Sequence, residues 1–170
     1  MFKYWKAITL TLFVLLGLLF FLNKTDKNLK LIVFVAPECP ISEAILLNLQ
    51  QISKEYNNEQ LHIQLVIPGS LYSNAEVDSF VNINNIKFEV IIDSNAELVN
   101  KYQATITPEV FLILNNQVIY EGAVDDRAVD NEIIKQSATE NYLSDAIQNA
   151  LAGKEVVVKK TKAVGCYIEL

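Results

Sequence analysis

Of 170 residues, only two are cysteines, Cys39 and Cys166, and one is a histidine, His62. Two cysteines exclude a disulfide-dense secreted scaffold. There is no CxxC, no HExxH and no Cys/His cluster, so no metal set is expected, and nothing in the pattern calls for a cofactor. Glycine and proline are sparse, with 5 and 4 residues, and there is neither a low-complexity tract nor an internal repeat. Lys and Arg number 14 against 20 Asp and Glu, for a net charge of −6. That balance lacks the basic footprint of a nucleic-acid-binding protein. The one dense basic cluster, Lys159, Lys160 and Lys162, reads as a solvated segment.

Charge is also missing from residues 7–22, AITLTLFVLLGLLFFL. At about 1.5 Å per residue this run covers roughly 24 Å, somewhat short of a bilayer core of about 30 Å. Tyr4 and Trp5 extend it, and Lys6 can snorkel to the interface. A cleaved signal peptide would need small residues after the apolar region. The run instead ends Phe20-Phe21-Leu22-Asn23-Lys24. The reading is an uncleaved single-pass membrane anchor over 1–23, a polar linker over 24–28 and one domain over 29–170. Lysines flank the run on both sides, so the positive-inside rule barely discriminates. Signal-anchor logic places the domain on the exported side. The remaining roughly 145 residues suffice for one domain with a core.

The domain is organised around residues 31–46, LIVFVAPECPISEAIL. A continuous apolar run over 29–36 predicts a buried strand. Pro40 suits the first position of a helix over 40–56. A strand is expected over 61–67, ended by Pro68-Gly69, and a helix over 74–81 capped by Ser73 or Asn74. A strand over 88–92 leads through Asp93-Ser94-Asn95 into a helix ending near Lys101. Strands over 110–114 and 118–121 flank Asn115-Asn116, a two-residue hairpin signal. A helix over 140–151 is closed by Gly153, and a short β-like run follows at 156–158. Alternating β and α units imply parallel crossovers, and the hairpin adds antiparallel strands. The expected class is an α/β sandwich with a mixed sheet.

A strand, Cys39-Pro40 opening a helix, and Thr107-Pro108 before a hairpin resemble the thioredoxin fold. Thr107-Pro108-Glu109-Val110-Phe111, the run Tyr120-Glu121-Gly122-Ala123-Val124-Asp125-Asp126-Arg127, and Val164-Gly165-Cys166 resemble the AhpC/TSA-like redoxin branch. The resemblance spans nearly all of 29–170. It implies a cis peptide bond at Pro108, facing the thiol, and an extended bound peptide pairing with the backbone at Thr107. Pro40 would flank the same site. The sequence departs from two relatives of this pattern. Ser42 stands where a thioredoxin has its second cysteine. Ile32 and Ala36 stand where a peroxiredoxin has its Pro and its Thr or Ser.

Cys39 is the candidate nucleophile, because a helix N-terminus favours thiolate and only thiolate attacks a disulfide. Ser42, one turn on, can hydrogen-bond its sulfur but cannot resolve a mixed disulfide. Cys166 has three readings: it folds back to resolve Cys39, it joins another chain, or it is a free or packed thiol. Asp125, Asp126 and Arg127 read as local capping and pairing, His62 as a surface or structural residue, and Tyr120 and Tyr142 as packing. The expected function is thiol–disulfide exchange or antioxidant chemistry on protein or small-molecule thiols, disulfides or peroxides. The alternative is a non-catalytic module presenting its groove to an envelope partner.

Overall fold

A computed structural model describes residues 29–56, 60–130 and 133–170. The expected anchor over 1–23 and linker over 24–28 lie outside the described residues. No helix among the described residues is long and apolar enough to cross a membrane.

Five strands form the main sheet in the order β3-β2-β1-β5-β6. They are β1 (Leu29–Phe34), β2 (Leu61–Pro68), β3 (Glu89–Asp93), β5 (Glu109–Leu114) and β6 (Gln117–Gly122). β1 pairs parallel with β2, as β2 does with β3, and antiparallel with β5. The sheet is therefore mixed, as expected. Its helices are α1 (Pro40–Glu55), α2 (Asn74–Ile83), α3 (Glu97–Tyr102) and α4 (Tyr142–Ala152). A second sheet has only β4 (Ile106–Thr107) and β7 (Cys166–Tyr167).

β1 is buried along its length because both of its faces are covered, which is why it reads as a continuous apolar run. Leu29, Leu31 and Val33 point into the larger core with Ile45 and Leu49 of α1, Val77 and Phe80 of α2, and Leu143 and Ile147 of α4. Ile32 and Phe34 face the other way, toward Val99 of α3 and Phe111 of β5. There Phe34 meets Phe111 edge-on, ring centroids 5.7 Å apart, with Tyr102 alongside. The expected elements are present within a residue or two. Ser73 caps α2 through a capping box with Glu76. Asp93, at the end of β3, takes the N–H groups of Leu98 and Val99 at the start of α3.

The chain after α4 departs from expectation. No strand forms at 156–158, where Val156 is buried and Val157 is exposed. The pairing falls three residues later, where Glu121 N–H donates to Lys159 O and Thr161 N–H donates to Glu121 O. This covers the free edge of β6. Lys159 and Lys160 pair with Glu155 and Glu121, so the lysine cluster is divided among local acids.

Tyr120 fastens the segment. Its buried hydroxyl donates to Ala123 O at 2.5 Å and contacts Thr161 Oγ1 at 2.6 Å, while Ala123 N–H donates to the same Oγ1. The phenol's one proton goes to Ala123, so the Thr161 hydroxyl is the donor between the two side chains. Burial pushes the phenol up to about 12, and it stays a donor throughout the physiological range. Gly122, at φ +128°, lets this crossing close: a Cβ there would lie 2.2 Å from Thr161 O. Gly122→Ala adds both backbone strain and that overlap, and is expected to cost at least about 2 kcal/mol in urea unfolding. An unchanged midpoint would show that the segment is not held at this point.

Candidate active site

The site starts where β1 ends. Val35 N–H still donates to Val66 O, but Pro37 stops the strand and Cys39 N–H turns back to Ala36 O at 3.1 Å. Cys39 is the N-cap of α1 in an extended conformation, with Pro40 at the first helical position. Its carbonyl takes the N–H of Glu43. The thiol therefore lies at the open end of a sixteen-residue helix, among N–H groups that favour an anion. Ser42 is buried, and its hydroxyl oxygen accepts Ala36 N–H at 3.2 Å. The serine pins the loop that presents the cysteine.

The opposite wall is β4. The Thr107–Pro108 peptide bond is cis, and Cys39 Sγ lies 3.2 Å from Thr107 O, to which the neutral thiol donates. β7 runs antiparallel to β4, with Thr107 opposite Cys166 and Ile106 opposite Tyr167. Ile168 N–H donates to Thr105 O at 3.0 Å, and Thr107 Oγ1 donates to Cys166 O at 3.4 Å. This register brings Cys166 Sγ to 2.7 Å from Cys39 Sγ, with both cysteines reduced. Of the residues expected at the site, Cys39, Ser42, Thr107, Pro108 and Cys166 converge. Pro40 is adjacent but exposed, shaping the helix start rather than the cleft.

The two thiols differ in acidity. Burial pushes Cys39 up, but hydrogen bonds from the Cys166 thiol, from the backbone and hydroxyl of Ser42 and from the Cys166 backbone outweigh it. Cys39 is left below an ordinary thiol. Burial pushes Cys166 up, its donated bond to Cys39 and the Cys39 charge push it further, and it reaches about 11. Of the two thiols, Cys39 is therefore the one that ionises first, and Cys166 the one that keeps its proton to higher pH. The Thr107 carbonyl is the one contact here that favours the neutral form of Cys39.

A cleft of about 290 Å³ opens beside the pair, reaching Glu38, Leu71, Tyr72 and Glu169. Tyr72 packs on the small cluster of Ala36, Cys39 and Ile41. Burial, then the charges of Glu38 and the two thiols, raise its phenol, so it remains protonated. Tyr72 and Leu71 carry no motif, and only their position after the β2 turn Pro68-Gly69 could have flagged them. Gly165 was also missed as a site residue, although its place directly before Cys166 was a readable signal.

Other candidates lie elsewhere. His62 pairs with Glu89 at 2.9 Å on an exposed part of the sheet. Arg127 pairs with Asp125, which also takes an amide hydrogen of Asn48. Asp126 accepts from Thr139, Glu140 and Lys135, and these bonds hold its carboxyl well below the usual range. These contacts staple the loop between β6 and α4. Among the described residues, no group of three or more His, Cys, Asp or Glu could hold a metal ion.

The thiols are coupled, so the pair titrates in two macroscopic steps. Thiolate absorbance in the ultraviolet is expected to show the first step below the ordinary thiol value and the second near 11. Cys166→Ala removes the largest contact that lowers Cys39, so its remaining step should move to higher pH. A step that stays in place in that variant would contradict the assignment.

Comparison with known proteins places this geometry. No curated protein matches the chain. A hypothetical protein from Sinorhizobium meliloti is similar in structure, with a TM-score of 0.73 and 23% identity over 84% of this chain and 80% of that one. An uncharacterized conserved protein from Geobacillus kaustophilus has a TM-score of 0.74 and 21% identity, over 86% and 79%. A secreted disulfide oxidoreductase of Mycobacterium tuberculosis has a TM-score of 0.51 and 15% identity, over 74% and 81%. At these identities the likeness is one of fold, here thioredoxin-like. Residues 15–121 match the AhpC/TSA family, and the chain belongs to that family.

Proposed function

We propose that the protein is a membrane-anchored thiol–disulfide oxidoreductase in which Cys39 attacks and Cys166 resolves. The observation that carries this reading is the thiol pair itself: sulfurs 2.7 Å apart, with Cys166 donating to Cys39. The fold shared with a secreted disulfide oxidoreductase supports it.

Cys39 thiolate attacks one sulfur of a disulfide, forming a mixed disulfide and expelling a thiolate, which takes the proton from Cys166. The Cys166 thiolate then attacks the Cys39 sulfur, closing a Cys39–Cys166 disulfide and expelling the second thiolate, which takes a proton from water. The substrate is reduced by two electrons, and the cysteine pair is oxidised by two. A thiol donor restores the pair. A hydroperoxide would enter the same cycle as Cys39 attacks its outer oxygen, the O–O bond breaks and the alcohol leaves; Cys166 then resolves the Cys39 sulfenic acid with loss of water. Ala36 offers only its methyl group and backbone to that step, where a peroxiredoxin has a hydroxyl. Disulfide exchange is therefore the favoured chemistry. Thr107 and Pro108 form the substrate-facing wall.

A purely binding role is less well supported. That reading rested on a monothiol motif and an open groove. Cys166 supplies a second thiol, and β7 lies along β4. The apolar run over 7–22 supports anchoring, with the domain on the exported side.

Cys39→Ser is expected to lower reduction of bis(2-hydroxyethyl) disulfide by about 10³-fold or more. Cys166→Ser should accumulate a mixed disulfide on Cys39, seen by mass spectrometry without reductant. Equal turnover in wild type and Cys39→Ser would overturn the proposal.

A further inference from the structure

We propose that Gly165–Ile168 is a strap that occupies the polypeptide-binding edge beside Cys39 and makes the enzyme selective for small disulfides over polypeptide ones. The inference rests on the Cys39 chemistry proposed above and names its substrate class.

Cys39 is 1% exposed while the segment is docked. Its sulfur sits 3.2 Å from Thr107 O, so a polypeptide bringing a disulfide to it must pass along the backbone at Thr107. Extended chains bind at such a place by adding a strand to an unpaired edge. Here β7 already pairs with both residues of β4, and Ile168 extends the contact to Thr105. The fit is close. A Cβ on Gly165 would lie 2.0 Å from Thr107 O and 3.0 Å from Pro108 Cδ. Ile168 packs into the core of Phe34 and Phe111, while Tyr167 faces out. The alternation is that of a built strand with one face toward the site.

What the strap leaves open is the cleft of about 290 Å³ that reaches Cys39 and Cys166. That is the low end of ligand-pocket size, suited to a small molecule rather than a chain. Leu71 and Tyr72 give it apolar and hydrogen-bonding surface. A small disulfide R–S–S–R fits the balance already given. It takes two electrons from the cysteine pair, and both halves leave as R–SH. A polypeptide disulfide reaches Cys39 only when the strap has left.

The test compares single-turnover attack by the reduced protein on bis(2-hydroxyethyl) disulfide and on insulin, read as loss of protein thiols. The ratio of the two rate constants cancels changes in thiolate fraction. Wild type should favour the small disulfide. Gly165→Val, which cannot seat against Thr107, should raise the insulin-to-small-disulfide ratio about tenfold or more. Ile168→Asp removes the strap's core contact at a distance from Thr107 and should do the same, keeping the test intact if the first variant folds poorly. A ratio equal in wild type and both variants would sink the strap and leave the Cys39 chemistry standing. Failure of wild type to react with either disulfide would instead remove the oxidoreductase reading on which the strap depends.

Discussion

Thr107 is the point on which both halves of the site depend. Its carbonyl oxygen faces the Cys39 sulfur, its backbone pairs with Cys166, and its hydroxyl donates to the Cys166 carbonyl. Its peptide bond to Pro108 is cis. One residue therefore sets the distance between two thiols that lie 127 positions apart in the chain. Much of the surrounding structure serves to keep that residue and its partners in place. β5 begins directly after Pro108 and pairs with β1, and the loop that leaves the end of β1 delivers Cys39.

The electrostatics follow from this arrangement. Two acidic residues, Glu38 and Glu43, flank Cys39 in sequence and by proximity alone would hold it neutral. The effect that wins is hydrogen bonding to the sulfur, from Cys166 and from Ser42. Both act on the sulfur inside a largely buried site, whereas Glu38 and Glu43 are exposed. Ser42 thus acts in place of the missing second cysteine in one respect only. It supports the thiolate and the loop, but it contributes no electrons.

The main sheet and the loop that presents Cys39 were legible in the sequence, because their signals are local. β1 is a continuous apolar run, Pro40 marks a helix start, and Asn115-Asn116 marks a hairpin. The other half of the site was less visible. β4 and β7 have two residues each, too short for any period to show. Their pairing is decided by packing at Gly165 and Ile168 and by the path of the chain along β6. The valines at 156–158 drew attention because β-branched residues favour strands, yet the pairing formed at Lys159–Thr161. There the deciding feature is Gly122, whose missing side chain admits the backbone of Thr161. The fold-back of Cys166 was one of three open readings for this reason.

Placing the second thiol outside the helix has a thermodynamic consequence. When both cysteines of a couple sit on one helical turn, their approach is fixed by local geometry and is insensitive to the rest of the chain. Here the approach exists only while the segment after α4 is docked. The bonds of Tyr120, Ala123 and Thr161 and the pairing of Thr105 with Ile168 therefore set the effective concentration of Cys166 at Cys39. A Cys39–Cys166 bond would join positions 127 apart in the chain. In the chain-entropy picture that restricts the unfolded chain by about 5 kcal/mol. Linkage then runs both ways: oxidation locks the segment in place, and each contact that docks the segment makes the pair easier to oxidise. In this protein the stability of a peripheral segment and the redox poise of the site are one quantity seen from two sides.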